Sequence, residues 1–234
     1  GIPYSYLSPQ AYIKTNVEGT YNILESSKHL NTEQTIITST SEVYGTAKYV
    51  PIDEKHPLSA QSPYSASKIA ADQLAMSYWN SFQLPIKIIR PFNIYGARGG
   101  MRHVIPQLLE KVYQANSGES IDVFSTDHTR AFCHIDDAIN QIMYIVDNNE
   151  CRNETINLGN ETREIMMNDL AEICINVSGK DLKINKLEAT EGSPKRRTPS
   201  MKKSIELIGY NPKVKLEDGI AQTYSWYMDN VFGI

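Results

Sequence analysis

The feature that most constrains the fold is the alternation of helix-length patterned stretches with short β-branched or aliphatic runs. Residues 11–28 carry apolar side chains at helical spacing, with Ile13, Val17, Ile23 and Leu24 on one broad face. Thr35-Ile36-Ile37-Thr38-Ser39 follows as a run that reads as a buried strand. Residues 64–82 give a second helix, ended by Leu84-Pro85, and residues 86–89 give a second buried strand. Such alternation predicts α/β layers around a parallel sheet, because parallel strands are joined by helical crossovers and covered on both faces. The opening residues 1–9, rich in Pro, Ser and Tyr, read as a loop. Residues 48–63 hold Pro51, Pro57 and Pro63 among mixed charges and read as a long surface loop.

After Pro91 the texture changes. Residues 104–112, 136–146, 169–177 and 216–228 have helical patterning, and residues 121–124, 155–158 and 184–187 are strand-like. Basic residues and turns interleave with these elements, as a smaller α/β ligand-binding lobe requires. No internal repeat or low-complexity segment interrupts them.

Composition narrows the function. With 234 residues, 41% hydrophobic and 21% charged, the chain can bury a sizeable core as one large domain or one domain plus a lobe. A net charge of -4 and a pI near 5.8 give no general field for nucleic acid or anionic lipid. An anionic ligand must therefore be held by a few placed arginines. Cys133, Cys151 and Cys174 are too scattered for a disulfide framework or a zinc cluster and point to a reducing compartment. No apolar run has the length of a membrane span and no signal segment opens the chain, so the expectation is a cytoplasmic protein.

The sharpest chemical signal is Tyr64-Ser65-Ala66-Ser67-Lys68. Positions four apart share a helix face, so the phenol and the ammonium are neighbours. A nearby cation favours phenolate, and a tyrosine so tuned can take a hydroxyl proton while a hydride leaves the same carbon. Alone, this spacing also describes a solvated helix face. Ser39-Thr40-Ser41-Glu42-Val43-Tyr44-Gly45 adds weight because it directly follows the first predicted strand, and ligands of open α/β sheets bind beyond strand carboxyl ends. Thr40 and Ser41 can donate to a sugar hydroxyl and Glu42 is a candidate second acid/base; the plainer reading is a capping cluster at a turn.

Together with Arg90-Pro91-Phe92-Asn93-Ile94-Tyr95-Gly96 and Asn16-Val17-Glu18-Gly19-Thr20, these segments resemble the extended short-chain dehydrogenase/reductase family. Within it, the likeness is to the NAD-dependent nucleotide-sugar epimerases and dehydratases, and it covers essentially the whole chain. Thr-Ser-Glu and Ile2-Pro3-Tyr4-Ser5-Tyr6 resemble the branch with sugar-nucleotide 4,6-dehydratases; Thr-Ser-Glu also occurs in UDP-glucuronate decarboxylases and GDP-mannose dehydratases. The resemblance implies a Rossmann-like domain over residues 1–98. It implies a sugar-nucleotide-binding lobe over most of residues 99–234, with some segments returning to the first sheet. Tyr64 is then the base at the sugar C4 hydroxyl, and Lys68 supports it and holds the nicotinamide ribose. Thr40 hydrogen-bonds the C4 oxygen, and Glu42 takes the C5 proton of a 4-keto sugar before water leaves C6. Ser41 stands where many dehydratases carry Asp, as it does in the GDP-mannose enzymes.

The same likeness places Ser39, Pro91 and Phe92 beside the NAD cofactor and Asn93 at the substrate diphosphate. His103-Val104-Ile105-Pro106 opens a helix whose amides suit a phosphate. Val123, in Asp122-Val123-Phe124, lies along the base, and Arg130 and Arg196 clamp the diphosphate with bidentate guanidinium forks. His134-Ile135-Asp136-Asp137 invites a metal reading, but the corresponding family stretch starts a structural helix, so no metal is expected. His29, His56 and His128 read as surface residues.

Family members begin with a strand, a glycine-rich turn and a helix that cradle the dinucleotide pyrophosphate, and this sequence contains no Gly-x-x-Gly-x-x-Gly. The expectation is a chain short of its N-terminal part, which alone binds NAD weakly and is inactive. The combined reading is a nucleotide-sugar 4,6-dehydratase working through a 4-keto intermediate. Epimerisation and UDP-glucuronate decarboxylation stay open, since residues 99–106 and 192–197 look more like epimerase-type relatives. A non-catalytic protein that keeps the fold is the reading from another class. The two long helices, residues 11–28 and 64–82, carry more apolar surface than one sheet face covers, and predict a homodimer.

Overall fold

The computed structural model describes residues 1–189 and 194–233. In chain order it begins with α1 (Ile2–Leu7), α2 (Pro9–Tyr12), a π-helical segment (Ile13–Glu18), α3 (Gly19–Leu30) and β1 (Thr35–Thr38). A 3-10 turn (Ser41–Tyr44), α4 (Pro63–Phe82), β2 (Ile86–Pro91), β3 (Ile94–Tyr95), α5 (Val104–Gln114) and β4 (Ser120–Phe124) follow. Then come β5 (Thr129–Ala131), β6 (Cys133–His134), α6 (Ile135–Asp147), β7 (Glu154–Leu158), β8 (Glu164–Met166) and α7 (Met167–Ser178). The chain closes with β9 (Lys183–Leu187), β10 (Arg196–Arg197), α8 (Lys202–Ile208) and α9 (Leu216–Tyr227). These elements form two compact units: residues 1–92, 141–158 and 199–210 in the first, and residues 93–140, 159–198 and 211–234 in the second.

The first unit is built on a parallel sheet in the order β1-β2-β7, as alternating helices and apolar strands predict. The first five residues of β2 are all buried, Lys87 and Arg90 among them, which is the mark of a central strand. Lys87 is tolerated there because its ammonium donates to the Ile145 and Val146 carbonyls, at 2.7 and 2.9 Å, in the last turn of α6. Leu24, Ile37, Ala75, Tyr78, Leu84, Ile86 and Ile88 form one core cluster, and Val43, Tyr44, Ile52 and Phe92 form another. Helix α4 starts sharply because Ser62 and Ser65 form a reciprocal capping box and Pro63 follows the cap. It ends at Gln83 in the left-handed region, φ 55°.

The second unit holds a mixed sheet, β10-β5-β8, and two parallel pairs, β3-β6 and β4-β9. Its core joins the apolar stripes of α5, α7 and α9 around Ile105, Leu109, Val112, Ile121, Leu170 and Ile220.

Several local expectations are corrected. Residues 1–9 form α1 and the start of α2, since a proline in the first turn of each costs no hydrogen bond that a helix would have made. In the stretch 11–28 a π segment intervenes, and Leu24 is buried while Ile13 and Ile23 are about half exposed. His56 and His128 are buried. The His56 ring accepts from the Lys48 amide at 2.9 Å and meets the Pro57 carbonyl at 2.8 Å, so its polar atoms are satisfied indoors. Asp137 accepts from the Lys213 and Val214 amides, each at 2.9 Å, a structural role. Among the described residues no group of His, Cys, Asp and Glu could hold a metal, and no helix is long and apolar enough to cross a membrane.

Candidate active site

In the first unit, β1 ends at Thr38 and its path continues through Ser39 and Thr40 into the 3-10 turn. Ser39 stays in register by donating its amide to Ile89 at 2.8 Å. Thr40 is extended and caps the turn: its hydroxyl oxygen accepts from the Glu42 amide at 3.2 Å. A hydroxyl used as acceptor keeps its proton to donate. Ser41 is buried and Glu42 half-buried. Gly45 closes the turn at φ 64°, ψ -143°, a conformation open to glycine, where an added Cβ would sit 2.4 Å from the Ser59 carbonyl oxygen.

Helix α4 packs against this turn. Tyr64 lies in its first turn, where the helix dipole favours negative charge. One turn on, Lys68 reaches the end of β1 and donates to the Thr38 carbonyl at 2.9 Å. Burial lowers the Lys68 pKa, and the nearby Asp72 carboxylate opposes that. Tyr64 is steered from two sides. Its ring meets Tyr12 edge to face with 5.9 Å between centroids. Asn16, in the π segment, donates at 2.9 Å to Ser67, which donates to the Tyr64 carbonyl at 2.7 Å.

Beside β1, on the edge away from β2, a hollow of about 430 Å³ is lined by Thr15, Asn16, Gly19, Thr20, Thr38 and Lys68 together with isoleucines. An ammonium, hydroxyls, an amide and an apolar floor are a donor set that fits the ribose and ring of a nicotinamide dinucleotide. Ser39 is buried and Pro91 half-buried, each at the carboxyl end of its strand.

In the second unit, a cavity of about 250 Å³ is lined by Asn93, Val104, Lys111, Asp122, Val123, Phe124 and Arg130, among others. A smaller one, about 180 Å³, adjoins it at Asn93, Val104 and Phe132 and includes Arg102 and His103. Asn93 holds a positive φ of 36°, which asparagine tolerates, and donates to the Ala131 carbonyl at 2.9 Å. His103 occupies the N-cap of α5 without a side-chain capping bond. The structure thus gathers Asn93, His103, Val104, Val123 and Arg130 around two adjoining cavities.

Arg196 is placed elsewhere. Register sets Arg196 beside Thr129 and Arg197 beside Arg130, and alternate strand residues point to opposite faces. Arg196 forks onto Glu164, with Nε to Oε1 at 2.7 Å and Nη2 to Oε2 at 2.7 Å, and Thr129 also donates to that carboxylate. The Arg196 hydrogen bonds hold the Glu164 pKa below its usual range. Arg197, buried, is the neighbour that shares a face with Arg130. Two adjacent arginines cannot be told apart by spacing until the strand register is known. The Gly192-Ser193 part of the basic stretch lies outside the described residues.

A parallel α/β sheet whose first strand runs into a Thr-Ser-Glu turn, with a Tyr/Lys helix packed on that turn, defines a Rossmann-like protein of the extended short-chain dehydrogenase/reductase class. The chain belongs within it to the GDP-mannose 4,6-dehydratase family, whose model matches residues 1–223. It is 33% identical over 225 residues to UDP-glucuronic acid decarboxylase 6 of Arabidopsis thaliana, covering 93% of this chain and 63% of that one. A dTDP-glucose 4,6-dehydratase structure from Streptomyces venezuelae with NAD bound superposes with a TM-score of 0.85 at 26% identity, covering 98% of this chain and 70% of that one. UDP-glucuronic acid 4-epimerase from Bacillus cereus, solved with UDP-glucuronic acid and NAD, gives 0.83 at 28% identity, covering 93% and 68%. The chain therefore spans under two thirds of the decarboxylase's length, and relatives of all three reaction types surround it.

Proposed function

We propose that the protein acts on a nucleoside-diphosphate sugar through a 4-keto intermediate, with 4,6-dehydration as the outcome. The observation that carries this reading is the α4 pair, Tyr64 and Lys68, with Lys68 tied to the Thr38 carbonyl just ahead of the turn that bears Thr40 and Glu42. Tyr64 takes the proton of the C4 hydroxyl, while Lys68 supplies positive charge that favours the phenolate. Thr40 donates to the C4 oxygen. Once C4 is a ketone, the C5 proton is acidic, Glu42 removes it as a carboxylate base, and water leaves from C6. The hydrogen taken from C4 would then be returned to C6 with a proton restored at C5, so the net change is loss of one water. NAD fits the hollow beside β1, where Lys68, Asn16 and Thr20 would hold it, and it would supply the acceptor for the C4 hydrogen. In the second unit, Val104 and Val123 would line the base and sugar of the nucleotide, with Asn93, His103 and Arg130 directed to phosphate.

Decarboxylation of a uronic acid is the second reading, favoured by the 33% identity to a UDP-glucuronic acid decarboxylase. It needs the same ketone, but the C5–C6 bond breaks and C6 itself leaves as carbon dioxide with no C5 proton removed, and epimerisation needs no second base. Incubating the full-length protein and NAD with UDP-, dTDP- and GDP-sugars separates the three by product mass: loss of water, loss of carbon dioxide, or no change. Dehydration of any of them supports the proposal; no conversion in any refutes it.

We also infer a homodimer through α3 and α4 and the helical segment before them. Ile13, Tyr21, Leu30 and Phe82 leave about half or more of their surface in solvent there, an apolar load that a second copy would cover. Light scattering that gives a monomer at working concentration would refute it. Three buried free cysteines support placement in the reducing cytoplasm.

A further inference from the structure

Beneath the Tyr64/Lys68 pair lies a buried polar chain to which the mechanism above gives no role. Asp72 continues the same face of α4, one turn beyond Lys68, and is fully enclosed. Arg90, from central strand β2, forks onto it, with Nε and Nη2 at 3.1 and 3.0 Å from Oδ2. The third nitrogen of Arg90 donates to the Tyr44 hydroxyl at 3.1 Å, and that hydroxyl donates to the Asn157 side chain at 2.7 Å. Asn157 in turn donates to the Ile52 carbonyl at 3.0 Å and, from its backbone, to Glu54 at 2.7 Å. Tyr44 is the last residue of the turn that bears Thr40 and Glu42.

Two properties make this more than a buried ion pair. Asp72 Oδ1 and Ser39 Oγ are both enclosed, and neither has a partner at full hydrogen-bond distance, although the Ser39 hydroxyl lies near enough to favour the carboxylate. One oxygen of Asp72 is therefore uncommitted to Arg90. Burial also pushes the Tyr44 phenol up to about 12, so it stays protonated and keeps donating to Asn157. The charged and titratable groups around the cluster are Lys68 on α4, Arg90 on β2, Tyr44 on the turn, and Glu54 and His56 on the loop beyond, the His56 ring meeting Tyr44 edge to face. Arg90 is the nearest cation to Asp72 and Lys68 the second.

We propose that Asp72, locked by Arg90, is a positioning residue that holds Lys68 in its charged form, and that the Arg90–Tyr44–Asn157 chain fixes the Thr40–Glu42 turn against the helix of the catalytic tyrosine. This rests on the catalytic reading of Tyr64 and Lys68 given above. The arrangement has a physical rationale. Lys68 loses hydration in its site, and a carboxylate one turn away restores the balance toward ammonium. Arg90 holds Asp72 through Oδ2 while the Lys68 ammonium donates to the Thr38 carbonyl, so Asp72 acts on Lys68 through its charge rather than through a direct bond. The same fork makes the turn and helix one rigid body, so the distance between a base at C4 and a base at C5 does not drift.

The test follows Lys68 directly. Protein carrying ¹³C-labelled lysine is titrated by NMR without cofactor, the Lys68 signal being assigned by its loss in Lys68→Arg. In Asp72→Asn the signal is expected to titrate at lower pH than in the unmodified protein. Because a lone Arg90 charge can unfold that variant, Asp72→Asn/Arg90→Gln is run beside it and is expected to move in the same direction. An unmoved Lys68 titration in a folded variant, whatever happens to its melting temperature, would overturn the proposal and leave a purely structural ion pair. Tyr44→Phe keeps the ring and cuts the link, so kcat is expected to fall about tenfold to hundredfold with KM within about twofold and the Lys68 titration in place. Unchanged kcat overturns the turn-fixing half. If no sugar nucleotide is converted but the Lys68 titration moves, the catalytic reading fails and the charge coupling survives; conversion with an unmoved titration is the reverse.

Discussion

Replacing Gly45 by alanine probes how tightly the proposed catalytic turn is built. Gly45 sits at φ 64°, ψ -143°, and its Cβ would fall 2.4 Å from the Ser59 carbonyl oxygen and 3.2 Å from the Gln61 side chain. Two costs add. The backbone conformation is one that L residues leave, at a cost of about 2–3 kcal/mol. Relieving the overlap means shifting backbone by about 1 Å, because the obstacle is a carbonyl rather than a flexible side chain, and overpacking of that kind costs about 1–3 kcal/mol. Gly209 supplies the control: it has the same φ, 64°, in the same unit, but nothing lies within 4 Å of its added Cβ, so alanine there carries the left-handed cost of about 1–2 kcal/mol. Urea unfolding followed by far-UV circular dichroism reads both. With a slope of about 2–3 kcal/mol/M, Gly45→Ala is expected to lower the first unit's midpoint by about 1–3 M, and Gly209→Ala by about 0.3–1 M. Equal shifts in the two variants would refute the claim that contact with residue 59, rather than φ alone, sets the turn.

Other expectations follow from the same coordinates. Tyr64→Phe should lower turnover by about 10²–10⁴-fold while leaving the melting temperature unchanged, since the hydroxyl is lost and the ring contact with Tyr12 remains. Arg130→Met should weaken nucleoside-diphosphate binding by about tenfold or more in calorimetry, and Arg196→Met far less, because Arg196 faces Glu164 across the sheet. Glu164 has a depressed folded pKa, so its contribution to stability is complete above the ordinary value of 4.5 and disappears as pH falls through the lower, folded one. The melting-temperature gap between unmodified protein and Glu164→Gln should therefore close on acidification below that value; a gap that widens would refute the pairing. Lys87→Met should destabilise the protein by about 2–4 kcal/mol in the same urea assay, because two carbonyls at the end of α6 lose a charged donor.

The sequence carried the sheet and the longer helices of the first unit because their signals are long, and missed the short α1 and α8. Residues 86–89 are uniformly apolar or aliphatic-stemmed, and residues 64–82 keep helical character for five turns. It could not carry β5, β6, β8 and β10, which span two or three residues and pair only with distant segments, too few positions for any period to show. The Tyr64/Lys68 pair and the Thr40–Glu42 turn were legible because each is a local motif. The Asp72–Arg90–Tyr44–Asn157 chain was not, since its members lie up to 113 residues apart and only the folded sheet brings them together. Arg90 and Tyr44 lay inside motifs already noted, and a charged residue at the end of a buried, mainly isoleucine run was the available hint. The burial of His56 was hidden for a related reason: its partners are a backbone amide and a carbonyl, which no side-chain pattern announces.

The central claim is that Tyr64 removes the proton of a sugar hydroxyl while the hydrogen on the same carbon departs. It is tested most directly by comparing turnover of a nucleoside-diphosphate sugar protiated or deuterated at C4 by the full-length protein. Slower conversion of the deuterated sugar is predicted, with conversion of either sugar by Tyr64→Phe reduced about hundredfold or more. Equal rates for the two sugars, with Tyr64→Phe as active as the unmodified protein, would contradict it.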